Sequence, residues 1–458
     1  MEAGAIAAIE FAAHELALLA AAGFLLFGID DLAVDLIFLA RRAWRRRGSG
    51  EDAPRSVGDL PVAERPGRIA VFVPAWDEGE VIGEMIARCL ERYGPAGAAH
   101  DYLLYVGCYP NDAGTREALA GIADPRLRTV LLPHLGPTTK ADCLNHLWRA
   151  LVGDERREGF TAKAVLLHDA EDIVSSAELA IVDSLIERHA LVQLPVLPLI
   201  DPRSRWVSGH YADEFAEAHG KDLVVRQAIG AALPSAGVGC AISRAALGRL
   251  AENSGHPFDA DCLTEDYELG LRLAALGQSQ AFVRLPLAPG GGIAATREYF
   301  PRSVEAAVAQ KSRWIAGIAL AGWDRLGWRG GIAERWMRLR DRKALLTAIF
   351  IVAGYAALLL WLLLALLGSP PALTPLLSAL LLVNAALLGW RFAVRAAFTG
   401  RAHGWREALY SVPRLFVANF IAVLATRRAF VRYLAARRSG VTRWEKTVHR
   451  FPRELPAE

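Results

Sequence analysis

Between Lys343 and Arg391 the chain carries no charged residue. A run of that length cannot be kept soluble at a globular surface and has to be covered by lipid. It is too long for one crossing. Ser369, Pro370, Pro371, Thr374 and Pro375 interrupt it, and proline ends a helix by removing an amide donor and crowding the preceding turn. The sequence therefore predicts two helices of about 20 residues each, joined by a short turn, as a transmembrane hairpin. Arg335, Arg338, Arg340, Arg342 and Lys343 precede it and Arg391, Arg395 and Arg401 follow it, which places both outer ends in the cytosol.

Near the N-terminus, Leu16 to Ile29 is apolar; Asp30, Asp31 and Asp35 then intrude before Leu36 to Ala40 and the cluster Arg41, Arg42, Arg45, Arg46 and Arg47. The basic cluster sets this end inside, and the aspartates either lie at the cytosolic interface or face a partner helix. No Lys or Arg occurs before Arg41, so the basic start of a cleavable signal peptide is missing and this segment is expected to remain in the mature protein. Leu409 to Thr426 carries Pro413, Arg414 and Asn419 and leads into Arg427, Arg428, Arg432, Arg437 and Arg438. Its short uncharged portion and basic tail favour an amphipathic helix on the cytosolic leaflet, with a further span as the alternative.

Lys and Arg together number 52 against 49 for Asp and Glu, too even a balance to indicate a nucleic-acid partner. Cys89, Cys108, Cys143, Cys240 and Cys262 are odd in number and form no C-x-x-C pair, so they read as reduced cytosolic thiols. From about Gly67 to Gln280 short apolar runs alternate with helical stretches, the pattern of a parallel sheet covered by helices. Ile69 to Pro74, Tyr102 to Gly107, Thr129 to Pro133 and Ala164 to His168 are the candidate strands, and ligands gather at the carboxyl ends of such strands.

Five polar clusters sit at those ends or beyond. Pro74-Ala75-Trp76-Asp77-Glu78 follows the first strand; its carboxylates either bind a base or ribose or simply favour a helix N-terminus. Thr138 to Asn145 places Lys140 at a loop-to-helix junction, where it either holds a diphosphate or is a surface charge. His168-Asp169-Ala170-Glu171-Asp172 packs three carboxylates together, which suits Mg2+ or Mn2+ on a diphosphate, the alternative being a solvated acidic loop. Thr264-Glu265-Asp266 is either a helix cap or a source of a carboxylate base. Gln310, Arg313 and Trp314 share one helical face and offer an amide, a guanidinium and a ring, or else mark a membrane interface.

In that order the clusters resemble the family 2 glycosyltransferases, in particular the membrane-bound processive kind related to cellulose and hyaluronan synthases. Asp169-Ala170-Glu171 resembles the D-x-D element, with Glu in place of the second Asp. Thr264 to Asp266 matches T-E-D, and Gln310, Arg313 and Trp314 match Q-x-x-R-W. Lys140 with Asn145 resembles K-x-x-x-L-N, and Gly237-Val238-Gly239-Cys240 the acceptor-side loop. Ile29 to Asp31, the V-P-A-W-D-E loop, the H-D-A-E-D cluster and Trp444 to His449 are similar to the NfrB-like branch, inner-membrane glycosyltransferases named for a role in phage adsorption. Members of that branch can continue into a cyclic di-GMP-binding domain; the sequence, ending at Glu458, gives no support for such built-in regulation.

The resemblance implies an α/β GT-A (Rossmann-like) domain over residues 49–335, between an N-terminal transmembrane segment (1–48), a hairpin (336–400) and an interfacial helix with a basic tail (401–458). It implies an inverting, metal-dependent transferase of the bacterial inner membrane, moving sugar from a nucleotide-diphosphate donor, such as a UDP-N-acetylhexosamine, to a growing exopolysaccharide. Glu171, Asp169 and Asp172 would hold Mg2+ or Mn2+. Pro74, Ala75, Asp77, Glu78, Asp112, Lys140, Asn145 and Asp169 would surround the nucleotide sugar, and Gly239, Cys240 and Trp314 would meet the glycan acceptor. Asp266 would be the base, aided by Glu265, Arg313, Trp314 and Gln310. Membrane lipid, a second copy or an outer-membrane export partner are the further partners expected. A non-processive enzyme acting on a lipid-linked acceptor, or a catalytically inactive membrane receptor or scaffold, are the competing readings.

Overall fold

The computed structural model describes residues 2–47, 54–95, 100–252, 254–371, 373–439 and 450–452; Trp444 to His449 lie outside them. A 46-residue helix, α1 (Glu2–Arg47), leads into a sheet domain. There β1 (Ile69–Pro74), α2 (Ile82–Arg92), β2 (Tyr102–Cys108), α3 (Ala113–Ala120), β3 (Leu127–Leu131), α4 (Lys140–Glu158), β4 (Ala164–Leu167), α5 (Glu178–Leu185) and β5 (Leu191–Gln193) follow one another. After them come α6 (Val207–Glu217), a π-helical turn over Ala218–Asp222, α7 (Leu223–Ala228), β6 (Cys240–Ser243), α8 (Arg244–Ala251), α9 (Glu265–Ala275) and β7 (Gln280–Phe282). The chain closes with α10 (Val304–Ile315), α11 (Gly322–Leu326), α12 (Ile332–Arg342), α13 (Ala344–Leu366), α14 (Pro375–His403) and α15 (Trp405–Ser439).

The seven strands run in the order β3-β2-β1-β4-β6-β5-β7. β1 is parallel to β2 and β4, with Phe72 opposite Tyr105 and Leu167. The sheet is mixed rather than wholly parallel, because β6 runs against both β4 and β5. β3 starts two residues before the sequence expectation.

Alternation along each strand divides the core in two. Ile69, Val71 and Val73 pack with Ile82, Met85 and Ile86 of α2 and with Ile181 and Val182 of α5. Ala70 and Phe72 meet Leu144, Leu147 and Leu151 of α4 and Leu269 and Leu273 of α9. All five cysteines are buried and free.

Among the described residues, four helices are long and apolar enough to cross a membrane: α1, α13, α14 and α15. α1 packs along α13 and α14, with Ala17 and Ala21 against Ala357 and Leu377. The hairpin turn falls where the prolines lie, between Leu366 and Pro375.

The aspartates of α1 face partners on other elements, the second of the two alternatives raised for them. Asp30 accepts from Trp336 Nε1 at 2.6 Å and Lys343 Nζ at 2.8 Å, at the foot of α13. Asp35 is 2% exposed; it pairs with Lys221 of the π-helical turn and accepts from Trp390 Nε1 at 2.8 Å. On α6, Glu217 pairs with Arg391 of α14, and Asp213 accepts from Arg414 Nη2 of α15 at 2.8 Å.

Helix α15 runs unbroken through Pro413. Arg414 is fully buried between Asp213 and Glu407, and farther along the same helix the Tyr433 hydroxyl donates to Asp324 of α11. Those two anchors are about 28 Å apart along the axis, at 1.5 Å per residue, and both lie on elements that flank the sheet domain.

Breaking a buried ion pair from one side leaves an uncompensated charge, at a cost of about 3–5 kcal/mol. Arg414→Met removes the fully buried cation between Asp213 and Glu407, leaving as ion-pair partners among the described residues only Arg395 for Asp213, at 3.5 Å, and Arg205 for Glu407, at 2.9 Å. The detergent-solubilised variant is expected to unfold several degrees below the parent protein in a thermal melt, and an unchanged midpoint would remove Arg414 from the fold's essential contacts.

Candidate active site

The carboxyl ends of β1 and β4, the starts of α4 and α9, and one face of α10 close around a single cavity of about 350 Å³. From the sequence-predicted residues it gathers Pro74, Glu78, Lys140, Asp169, Glu171, Glu265, Asp266, Gln310, Arg313 and Trp314. These come from positions separated by more than two hundred residues in the chain. Their convergence is a product of the fold.

Lys140 opens α4, whose N-cap Thr139 accepts from the Asp142 amide. Its ammonium lies 2.5 Å from Asp169 Oδ1. Burial opposes that charge, but Asp169, Glu265 and Asp266 outweigh it and hold the Lys140 pKa above the ordinary lysine value. Lys140 thus faces three carboxylates, with Arg313 also acting on Asp266.

Glu265 and Asp266 begin α9. Burial raises both carboxyls; neighbouring Asp266 adds to the effect on Glu265, Lys140 opposes it, and Glu265 is pushed up to about 7. Asp266 Oδ1 accepts from the Tyr267 amide at 2.7 Å. Its other oxygen lies against Gly237, whose φ is +76° and where an added Cβ would come within 2.6 Å. A side chain there would displace the carboxylate, which explains a glycine in that loop. Gly317, just past α10, admits Thr264 in the same manner, at 2.5 Å.

On α10 the spacing of three and four residues turns Gln310, Arg313 and Trp314 to the cavity. Lys311 points the other way, with both Glu214 oxygens of α6 at 2.6 Å. Trp314 sits in an aromatic group with Tyr211, Phe215 and Phe300, at ring separations of 6.1, 6.3 and 6.2 Å.

Several predicted residues have other work. Asn145 is 3% exposed; it donates to the Phe258 carbonyl at 2.8 Å and accepts from the Phe258 amide at 3.1 Å, so both ends of its amide are spent on fixing that loop. Asp172 turns inward to His168 Nδ1 at 2.7 Å and to the Asp169 amide at 3.1 Å, bracing the acidic loop from behind. Asp112 caps α3 and accepts from the Asp77 amide at 2.6 Å; Asp77 itself is exposed with φ +54°. Ala75 is buried beneath the cavity wall, its amide bonded to the Gly107 carbonyl. Gly239 packs against Thr296, and the buried Cys240 thiol accepts from the Ser235 hydroxyl at 2.9 Å. None of these seven residues lines the cavity.

The cavity also contains Trp76, from the first polar cluster, and four residues that sequence reasoning missed: Phe215, His219, Glu298 and Phe300. The one available signal was the dense run of charges from Asp213 to Asp222, unusual for a helix beside apolar segments.

Asp169 and Glu171 share one wall of the cavity. Two carboxylates facing a diphosphate-sized space are the hard-oxygen donor set that Mg2+ or Mn2+ takes, so the residues present fit such an ion. His134, Asp142 and His146, whose ligand atoms fall within 4.8 Å of one another, form a separate group outside this cavity.

Losing buried hydrogen bonds to Phe258 should cost about 1–3 kcal/mol, so Asn145→Ala should melt earlier than the parent protein. An unchanged melting midpoint would remove these bonds from the contacts that hold the loop.

A family model described as glycosyltransferase like family 2 matches residues 66–317. Bacteriophage adsorption protein B of Escherichia coli (strain K12) and Bacteriophage N4 adsorption protein B of Escherichia coli O157:H7 are each 35% identical, over 93% of this chain and 60% of theirs. The chain therefore spans about 60% of the length of these relatives. Among solved structures, the mannosyltransferase PcManGT from Pyrobaculum calidifontis, in complex with GDP-Man and Mn2+, aligns with a TM-score of 0.50 at 18% identity, over 92% of this chain and 99% of that one. That likeness is one of fold.

Proposed function

This chain belongs to the glycosyltransferase like family 2, and from that premise we propose that it transfers a sugar with inversion from a nucleotide-diphosphate donor to a glycan acceptor at the membrane surface. The observation that carries the reading is the single cavity holding Lys140, Asp169, Glu171, Glu265, Asp266, Arg313 and Trp314. The mannosyltransferase of similar fold holds GDP-Man and Mn2+, which supports a nucleotide sugar and a divalent ion here. A UDP-N-acetylhexosamine donor and a growing exopolysaccharide are the specific substrates of the proposal. So are an inner-membrane location and a cytosolic sheet domain, which follow from the basic flanks of α13 and α14.

Asp169 and Glu171 would hold Mg2+ or Mn2+, which when bound supplies positive charge against the leaving diphosphate. Lys140 and Arg313 both line the cavity and supply positive charge there, and Arg313 can meet two phosphate oxygens through its planar fork. Asp266 takes the proton from the acceptor hydroxyl as that oxygen attacks the anomeric carbon opposite the departing diphosphate. Glu265 beside it keeps the base poised, since two adjacent buried carboxyls resist full ionisation. Helix α15, anchored at Arg414 and Tyr433 to elements beside the sheet domain, lies along the cytosolic leaflet in this reading.

Asp266→Asn removes the base while keeping side-chain volume. In purified full-length protein given UDP-N-acetylglucosamine, UDP release should fall by about 10²–10⁴-fold with donor affinity retained. A chelator should silence the parent enzyme, and near-normal turnover in the variant rejects the assignment.

The raised carboxyls also set a pH dependence. A base acts only when deprotonated, and burial raises the Asp266 carboxyl above the ordinary carboxylate range while Lys140 opposes that rise, so the protonated, inactive fraction persists to higher pH than for a free carboxylate. kcat/KM should therefore decline on the acid side of its profile, and Lys140→Met, which removes the opposing cation, should move that limb to higher pH. An acid limb that stays in place in Lys140→Met contradicts the base assignment.

A further inference from the structure

The proposed reaction leaves one wall of the cavity without a task. Helix α6 and the π-helical turn after it present Phe215, Ala218 and His219 to the space that Asp266 also faces. π-helical turns inside helices are frequent at functional sites.

His219 is 6% exposed. The Val196 amide donates to its Nδ1 at 3.1 Å, and because an amide can only donate, the ring proton of the neutral form resides on Nε2. Burial, with Arg284 adding to it, pushes the His219 pKa down to about 3, so the neutral form is the one present. The ring stacks on Phe215, with centroids 5.1 Å apart and planes at 20°. Phe215 in turn contacts Phe300 at 5.0 Å, and Phe300 contacts Trp314 at 6.2 Å. Glu298 completes the polar part of this wall.

Three aromatic rings around one imidazole donor and one carboxylate match the two kinds of surface on a pyranose: flat C–H faces and equatorial hydroxyls. The opposite face of α6 carries Asp213, Glu217 and, one turn on, Lys221, each paired with a charge from an apolar helix: Arg414, Arg391 and Asp35. The wall is thereby fixed to the helices that α13 and α14 anchor in lipid.

We propose that this face of α6 is the acceptor subsite, in which the terminal pyranose ring of a glycan packs among Phe215, Phe300 and Trp314 and receives a hydrogen bond from His219 Nε2. The assignment deepens the transferase reading and rests on it. It replaces Gly239 and Cys240 as the acceptor contacts and adds α6 residues to Trp314.

The test uses full-length protein in lipid nanodiscs, UDP-N-acetylglucosamine as donor and chitotetraose as the acceptor probe. His219→Phe keeps the stacking and removes the donor atom; His219→Gln retains an N–H at a similar reach and guards against a folding defect. The expected result is an acceptor KM raised about tenfold in His219→Phe, the loss of one hydrogen bond, with partial recovery in His219→Gln and an unchanged UDP-N-acetylglucosamine Kd by calorimetry. An unchanged acceptor KM in His219→Phe overturns the subsite, as does a donor Kd that weakens in parallel. A parent protein that neither transfers to chitotetraose nor shows tryptophan fluorescence changes with it overturns the pyranose assignment. Normal transfer by Asp266→Asn in the same assay would instead remove the transferase reading beneath it.

Discussion

Charge buried where water cannot reach must be matched by charge, and that constraint organises this molecule. Asp35, Asp213, Lys221 and Arg414 are each 2% exposed or less, and each is met by an opposite partner from another part of the chain. A single unpaired member would cost several kcal/mol. The pairs therefore permit essentially one seating of the sheet domain on the apolar helices, and they do so through α6, the element that also borders the cavity. Apolar packing alone, which is non-directional, would leave that seating free to slide.

The same principle operates at the cavity with the opposite outcome. Carboxylates from β4 and α9 are brought together with one lysine between them, so negative charge remains in excess. A fold selected for stability alone would not arrange this, because like charges at close range resist ionisation. The excess is intelligible when a cation and a charged substrate complete the balance. Gly237 and Gly317 show how the backbone accommodates it, giving up side chains where Asp266 and Thr264 need the room.

Features written as local pattern were readable in the sequence. The uncharged run gave the hairpin, because length and hydropathy alone determine whether a helix suits a bilayer. The clusters around Asp169, Asp266 and Arg313 were readable because each is contiguous and chemically dense, and all three line the cavity. Asn145 was misread because a motif gives a residue's position and not the direction of its amide, which here is consumed by Phe258. Asp172 belongs to the same acidic cluster as Asp169 yet faces His168, since the turn after β4 sends successive side chains to opposite sides. Phe215 and His219 were marked only by the charge run around them, and Phe300 by nothing: an aromatic wall assembled from α6, a loop and α10 is a tertiary fact with no periodicity of its own. The antiparallel β6 was hidden for a related reason, since strand direction depends on the route of the intervening α6 and α7.

The buried state of all five cysteines has a practical corollary. Native thiols enclosed by packed side chains are shielded from maleimide and nitroxide reagents under folding conditions. A cysteine placed at any exposed position becomes the one reactive handle without first stripping the natural ones, so spin labels or fluorophores on α6 and α13 can report how the two move relative to each other as substrate arrives.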